Sequence, residues 1–411
     1  MTMTEQPQQD LDVLIVGAGP VGLTLAIGLA KAGRSVEVLE REPELGDSPR
    51  AICYLHNLLP DLDRLGLLDE MKQLGHVDQD GFTLRLPLLE EVINVPMTTL
   101  IEDRFPYPYN INLGQDQVAR IAERVLHTLP TATLRFDADV TAVRDQADGA
   151  TVTYTDADGE HTVKARYVVG ADGGHSTVRK AIGASLEGTT WKDRFVATNV
   201  RFPFEELGFN SSNLLSHPEY GCVVARISPD GLWRVTYQES DSLPEETVEE
   251  RIPAHFERLL GAEDAARVVV DRFRPYRMHQ RLATKLHEGH IVLAGDAAHL
   301  TNPTGGLGLT GGLYDVFLLE EVLLSVLSGE SGQEALEYYA KDRARVFSTI
   351  SSPNASYLKD LVYDTPDPEK LRELTQSQRD AASSPQLQRA SLEGIDDARS
   401  PLWASTKVGA A

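Results

Sequence analysis

Hydrophobic periodicity first becomes regular at Leu11. The run Leu11–Val16 is apolar enough for a central strand buried on both faces. A glycine-rich turn follows, and from Pro20 apolar residues recur at helical spacing until Gly33, a favourable helix terminator. A second apolar run, Val36 to Glu40, completes a predicted β-α-β unit. Residues 55–74 carry apolar positions at helical intervals and predict one helical stretch ending at Gly75, after which residues 81–100 read as extended. A helix is predicted from Gln115 to Leu129, before Pro130. Between Leu134 and Gly170 the turn signals Asp148-Gly149 and Asp158-Gly159 divide a β-meander that returns to an apolar strand, Tyr167 to Gly170.

From about Ser185 to about Lys285 the pattern becomes strand-like and rich in bulky residues (RFVATNVRF, GCVVARI, LWRVTYQE), with one amphipathic helix, Glu245 to Leu260. The chain then returns to the first pattern with IVLAGDAAH, an apolar strand entering a glycine-rich loop, and continues as long helices. Beyond about Ser383 it is polar and poor in large apolar residues, so partial disorder is expected. The predicted fold class is α/β: a Rossmann-like domain (residues 1–184 and 286–345, with 76–114 lent to the substrate region), an inserted, mostly antiparallel β-sheet substrate domain (185–285), and a helical C-terminal tail (346–411).

Composition narrows the function classes. Of 411 residues, 41% are hydrophobic and 25% charged, as in an ordinary globular protein. A formal charge of -23 repels phosphate backbones and anionic lipid, so no nucleic-acid partner is expected. Two cysteines, Cys53 and Cys222, cannot build a disulfide framework or a cysteine-rich metal site; no metal is expected, and a cytoplasmic location is. The N-terminus lacks the basic and apolar regions of a secretory signal, and no apolar stretch suffices to span roughly 30 Å of hydrocarbon, so no membrane span is predicted.

Three motifs carry the chemistry. Gly17-Ala18-Gly19-Pro20-Val21-Gly22 follows a strand and opens a helix, the context a dinucleotide fingerprint requires. Gly17 permits the tight turn, Gly19 lets backbone approach a pyrophosphate, and Gly22 allows close helix–strand packing. Glu40, eighteen residues past Gly22, suits an adenosine ribose and would repel a 2′-phosphate. The second motif, Gly170-Ala171-Asp172-Gly173, leads to Arg179, with which Asp172 could simply pair. The third, Gly295-Asp296-Ala297-Ala298-His299, precedes Asn302-Pro303-Thr304-Gly305-Gly306-Leu307-Gly308-Leu309-Thr310.

These motifs, in this order and with a sheet inserted between the last two, resemble the single-component, class A flavin-dependent aromatic hydroxylases of the para-hydroxybenzoate hydroxylase fold. The resemblance spans roughly residues 11–345. It implies bound FAD and transient NADH or NADPH, and a phenolic or related aromatic substrate hydroxylated with dioxygen through a C4a-hydroperoxyflavin in a dry cavity. It implies that Gly17, Gly19, Pro20, Val21 and Gly22 meet the ADP half, with Glu40 and Arg41 beside them. Arg50 and Ala51 would lie over the flavin, Gln115 near the ribityl and phosphates, and Val140 on the adenine. Asp172 would sit near the pyrophosphate, Asp296 on the ribityl chain, and the backbone of Gly306, Gly308 and Leu309 along the flavin edge. Pro303 would shape the reactive side, the one catalytic candidate. Tyr220, Arg226 and Tyr237 are the substrate candidates from the inserted sheet, whose register the sequence leaves open. Leu307 and Thr310 depart from the family's usual loop, which puts substrate geometry in doubt rather than flavin binding. The alternatives are a same-fold reductase or halogenase, or a redox-inactive FAD module; the paired tryptophans of halogenases are absent. A homodimer stays open beside a monomer.

Overall fold

The structure, a computed structural model, describes residues 11–47, 51–96, 105–384, 386–387, 389, 396–401 and 403. Leu11–Val16 lies between two parallel partners, Val36–Leu39 and the end of Gly159–Gly170, where the apolar residues Tyr167–Gly170 are buried beside it and each strand covers the next. Ala132–Arg135 extends this sheet on one flank and Ile291–Leu293 on the other, both parallel. The predicted meander is present as Asp139–Gln146, Gly149–Asp156 and Gly159–Gly170, paired antiparallel. Helix Pro20–Lys31 covers one face, packed beside Leu307–Ser328, a 22-residue helix apolar nearly all round and therefore buried.

The second sheet runs in the order His299–Leu300, Val269–Ala283, Leu186–Arg201, Leu232–Glu239, Cys222–Arg226, Ser212–Leu215, Phe82–Leu86, Glu91–Val95. Its pairings are antiparallel except that of Ser212–Leu215 with Phe82–Leu86. The insertion thus recruits strands from before and after it. A small third sheet, Cys53–Tyr54 with Asn110–Asn112 and His76–Asp78, bridges the two larger ones.

Residues 55–74 are not one helix. They form a 3-10 turn, His56–Leu58, and two short helices, Leu59–Arg64 and Leu68–Leu74, broken where Gly66 takes φ +80°. The helix begun at Gln115 ends at Leu126, three residues before the expected stop. The tail is helical over Ser352–Tyr363, Pro368–Leu374 and Gln376–Ser383. Much of the stretch expected to be disordered lies outside the described residues, but within it residues 396–401 dock: Arg343 donates to Ala398 O at 3.0 Å and Ser400 Oγ at 2.8 Å, and Arg399 to Asn57 O at 2.8 Å. Among the described residues no helix is long and apolar enough to cross a membrane.

Candidate active site

The three motifs converge on the start of helix Pro20–Lys31. Ala171 N–H donates to Val16 O at 2.8 Å, and Ala294 N–H to Gly170 O at 3.0 Å, which ties the three strand ends together. Val21 packs against Gly295 and Gly312, where an added Cβ would come within 3.0 and 2.7 Å of its methyl. Glu40 Oε2 accepts Ala18 N–H at 2.8 Å and Oε1 accepts Glu42 N–H at 3.1 Å, so the acid closes the first glycine turn.

The glycines separate by role. Gly17, at φ +106°, would put a Cβ 2.4 Å from Ala171 O, and a Cβ on Gly22 would lie 2.1 Å from Gly17 O. A Cβ on Gly19 meets nothing within 4 Å. Gly19 therefore borders open space. The helix it precedes has no side-chain cap and no acid in its first turn, leaving N–H groups available to an anion.

One cavity of about 1400 Å³ extends from this point to the second sheet. Gly19, Pro20, Val21, Ala51, Gln115, Asp296, Pro303, Gly306, Gly308 and Leu309 all border it, as do Arg234 and Thr236. That volume exceeds the roughly 300–1,000 Å³ of a drug-sized ligand site and suits a dinucleotide's reactive half together with a second molecule. The loop at Pro303 is held from the sheet: Gln280 Oε1 accepts Thr301 Oγ1 at 3.0 Å, Asn302 N–H at 3.1 Å and Asn302 Nδ2 at 3.2 Å. Helix Leu307–Ser328 begins at Gly306, φ +68°, again without a side-chain cap, so its first N–H groups face the cavity. An open backbone cradle, two uncapped helix starts and the Glu40 carboxylate form a donor and acceptor set that fits FAD.

Arg41, Val140 and Asp172 do not border this cavity. Arg41 is exposed and pairs with Glu42 at 3.2 Å. Val140 is 6% exposed, its side chain in an apolar cluster with Val16 and Leu39. Arg50 lies outside the described residues. Asp172 does not make the simple pair with Arg179. Its Oδ2 accepts Thr177 N–H at 2.7 Å and Val178 N–H at 3.2 Å, Oδ1 is buried with no partner among the described residues, and Arg179 donates instead to Ala297 O at 3.0 Å and Gly174 O at 2.7 Å.

None of the three substrate candidates borders the cavity: Arg226 and Tyr237 occupy strand positions whose side chains face the other side of the sheet, and Tyr220 lies in the turn before the strand. In the pairing of Cys222–Arg226 with Leu232–Glu239, the pairs Val223–Thr236 and Ala225–Arg234 border the cavity. The alternate pairs, Cys222–Tyr237 and Arg226–Trp233, point to the opposite face. There Tyr237 stacks on His255 at 3.6 Å in the cluster under helix Val248–Leu260. Arg226 donates to Ser228 O at 3.2 Å and Pro229 O at 2.9 Å, and Tyr220, in the preceding turn, stacks on His217 at 3.6 Å. Arg234 takes their place. It is 2% exposed, its Nε donates to Asn199 Oδ1 at 2.7 Å, and burial lowers its pKa to about 10, which leaves it cationic at neutral pH.

A group the sequence reading passed over lies on the same wall. Asp78, Asn110, Asn112 and Ser212 border the cavity from the small sheet and its neighbour. Asp78 is 1% exposed, and burial raises its carboxyl from 3.8 to about 6 against the opposing Ser212 hydrogen bond. No short motif marks this group, since its members sit on three separate strands.

A model of the FAD-binding-domain family matches residues 10–352. The 6-hydroxy-3-succinoylpyridine 3-monooxygenase HspB of Pseudomonas putida (strain DSM 28022 / S16) is 41% identical over 86% of this chain and 90% of its own. The para-nitrophenol 4-monooxygenase of Pseudomonas sp. (strain WBC-3) is 40% identical over 84% of this chain and 85% of its own. The crystal structure of p-nitrophenol 4-monooxygenase PnpA from Pseudomonas putida DLL-E4 superposes with a TM-score of 0.90 at 35% identity, covering 95% of this chain and 98% of that one.

Proposed function

The chain belongs to the FAD-binding-domain family of flavoproteins, and from that membership we propose that it hydroxylates a single-ring aromatic carrying a hydroxyl and a polar substituent. It is an FAD-dependent aromatic monooxygenase with NAD(P)H as reductant. FAD, when bound, supplies two-electron redox chemistry and the activation of dioxygen. The chain's own residues hold it and shape what it meets. Backbone at Gly19 and the helix start behind it would take the pyrophosphate, Glu40 the ribose, Asp296 the ribityl hydroxyls, and the N–H groups of Gly308 and Leu309 the ring's carbonyl edge. Arg234, on the sheet side, would hold an anionic or electron-withdrawing ring substituent.

The observation that carries this reading is the continuity of the cavity from Gly19 through the Pro303 loop to Arg234 and Thr236. The relatives named for nitrophenol and hydroxysuccinoylpyridine support the single-ring class. The test is NAD(P)H oxidation by the FAD-loaded protein with single-ring and polycyclic phenols. Single-ring phenols are expected to accelerate it and to yield hydroxylated product in step with NAD(P)H consumed. Acceleration by polycyclic phenols alone, or oxidation indifferent to any phenol, overturns the proposal.

Asp296→Ala is expected to purify with little flavin, read from the absorbance of cofactor released on denaturation. Stoichiometric, tightly held FAD in that variant would remove Asp296 from the site.

A further inference from the structure

Asp78 is an expensive residue for this fold to keep. Its carboxylate is nearly inaccessible, no cation pairs with it among the described residues, and its raised pKa means that the stability it contributes is present below pH 3.8 and lost as pH rises through about 6. A turn-capping role accounts for part of its surroundings, since Oδ1 accepts Asp80 N–H at 3.1 Å. Asparagine would serve that turn as well and carry no charge. The second oxygen points elsewhere: Oδ2 accepts the Ser212 hydroxyl at 2.6 Å. Ser212 Oγ in turn accepts Asn112 Nδ2 at 2.9 Å, which among the described residues leaves one of its lone pairs unused, and Asn112 Oδ1 is buried with no partner among them. Asp78, Ser212 and Asn112 all border the cavity.

The array stands next to the loop that would carry the flavin. Asn112 pairs across the small sheet with Cys53, and a Cβ on Gly306 would lie 3.7 Å from Cys53 Cβ. The Ser212 hydroxyl, backed by the Asp78 carboxylate, thus stands on the wall of the cavity that Gly306 also borders.

We propose that Asp78, acting through the Ser212 hydroxyl, accepts the substrate's phenolic proton as the ring is hydroxylated. This rests on the functional reading above. The phenol O–H bond breaks and its proton joins Ser212 Oγ, while the Ser212 proton joins Asp78 Oδ2. The phenol electron pair stays on the substrate oxygen, Ser212 is regenerated, Asp78 becomes a neutral acid, and no external oxidant or reductant enters the step. A phenol of ordinary acidity, near pKa 10, is neutral at working pH, so its ring is poorly nucleophilic until that proton begins to leave. The surrounding groups do not supply a better acceptor. Cys53, raised to about 12 by burial and by Asp78, stays a thiol, and His76, lowered by burial and Arg226, is bound to Ser211 Oγ at 2.7 Å. Asp80, in the adjacent turn, gives Asp78 its backbone N–H and otherwise adds like charge.

The experiment compares wild type, Asp78→Asn and Ser212→Ala, all FAD-loaded, on para-substituted phenols from the acidic 4-nitrophenol to the weakly acidic 4-methylphenol. For wild type, kcat/KM is expected to fall as pH drops through about 6, where Asp78 takes up a proton. Both variants are expected to lose on the order of a hundredfold with 4-methylphenol at pH 7, much less with 4-nitrophenol, and to recover as pH approaches each phenol's own pKa. Ser212→Thr, which keeps the hydroxyl, is expected to retain activity. FAD affinity should be unchanged throughout. A loss equal for all phenols and independent of pH, or no loss, overturns the relay while leaving the functional reading intact. Failure of every phenol to accelerate wild-type NAD(P)H oxidation overturns that reading and the relay with it.

Discussion

Asp315→Ala is expected to destabilise the protein by about 3–5 kcal/mol, the typical cost of leaving a buried charge without its partner, and to lose flavin with it. Asp315 is fully buried in helix Leu307–Ser328. Its Oδ1 accepts Arg343 Nε at 2.6 Å, and its Oδ2 pairs with His299 Nε2 at 2.7 Å and accepts Gly295 N–H at 2.8 Å. Arg343, 1% exposed, would lose its carboxylate and keep only the carbonyls of Ala398 and Gly311 and the Ser400 hydroxyl. One carboxylate thus ties together the helix behind the Pro303 loop, the turn that presents Asp296, and the docked tail. Burial opposes its ionisation, but His299 and Arg343 outweigh burial and bring its pKa down to about 2. Because the folded value lies below the ordinary one, this stability is complete above about pH 4 and lost as pH falls through about 2. Denaturant melts at pH 7 and pH 3, with flavin content read in parallel, check both parts. A variant that melts within about 1 kcal/mol of wild type, below the range for a broken buried pair, would show that the network carries little.

The same residue shows why some of the site was legible in the sequence and some was not. Local patterns read well: a glycine turn between an apolar strand and a helix depends on residues near one another in the chain, and Gly17, Gly19 and Gly22 stand where the spacing puts them. Asp315 gave a signal that went unused, an acid inside the apolar run Leu313–Leu319, where only a buried partner makes it tolerable. Its partner is 28 residues away and could not be named from spacing. Parity on the inserted sheet was also beyond reach. Trp233, Arg234, Val235, Thr236 and Tyr237 alternate bulky and polar side chains, but both faces of that strand are covered, one by helix Val248–Leu260 and one by the cavity wall. Amphipathicity therefore does not say which face is inside. Tyr237, the more evident aromatic contact, went to the helix, and Arg234 to the cavity. The proposed proton acceptor was hidden for a related reason: Asp78 and Asn112 lie on paired strands of the small sheet, and Ser212 reaches them by side-chain hydrogen bonds from another sheet, far along the chain.

Gly17→Ala and Gly19→Ala are expected to fail in different ways, and the difference locates the cofactor. At Gly17 a side chain meets φ +106° and a backbone oxygen 2.4 Å away. Backbone strain of about 1–3 kcal/mol adds to an overpacking cost of about 1–3 kcal/mol, and the atom in the way is a carbonyl that cannot rotate aside. The loop must separate from the second motif, so Gly17→Ala is expected to lower the stability of the apoprotein and to abolish flavin retention together. Gly19 has φ -68°, which alanine adopts freely, and open space where a Cβ would go. Gly19→Ala should therefore leave the melting midpoint of the apoprotein unchanged. What it takes away is the close approach of backbone to a pyrophosphate, so FAD affinity is expected to fall at least tenfold, measured by quenching of flavin fluorescence on titration. If Gly19→Ala binds FAD as wild type does, the pyrophosphate does not lie over that residue, and the open space beside it belongs to something else.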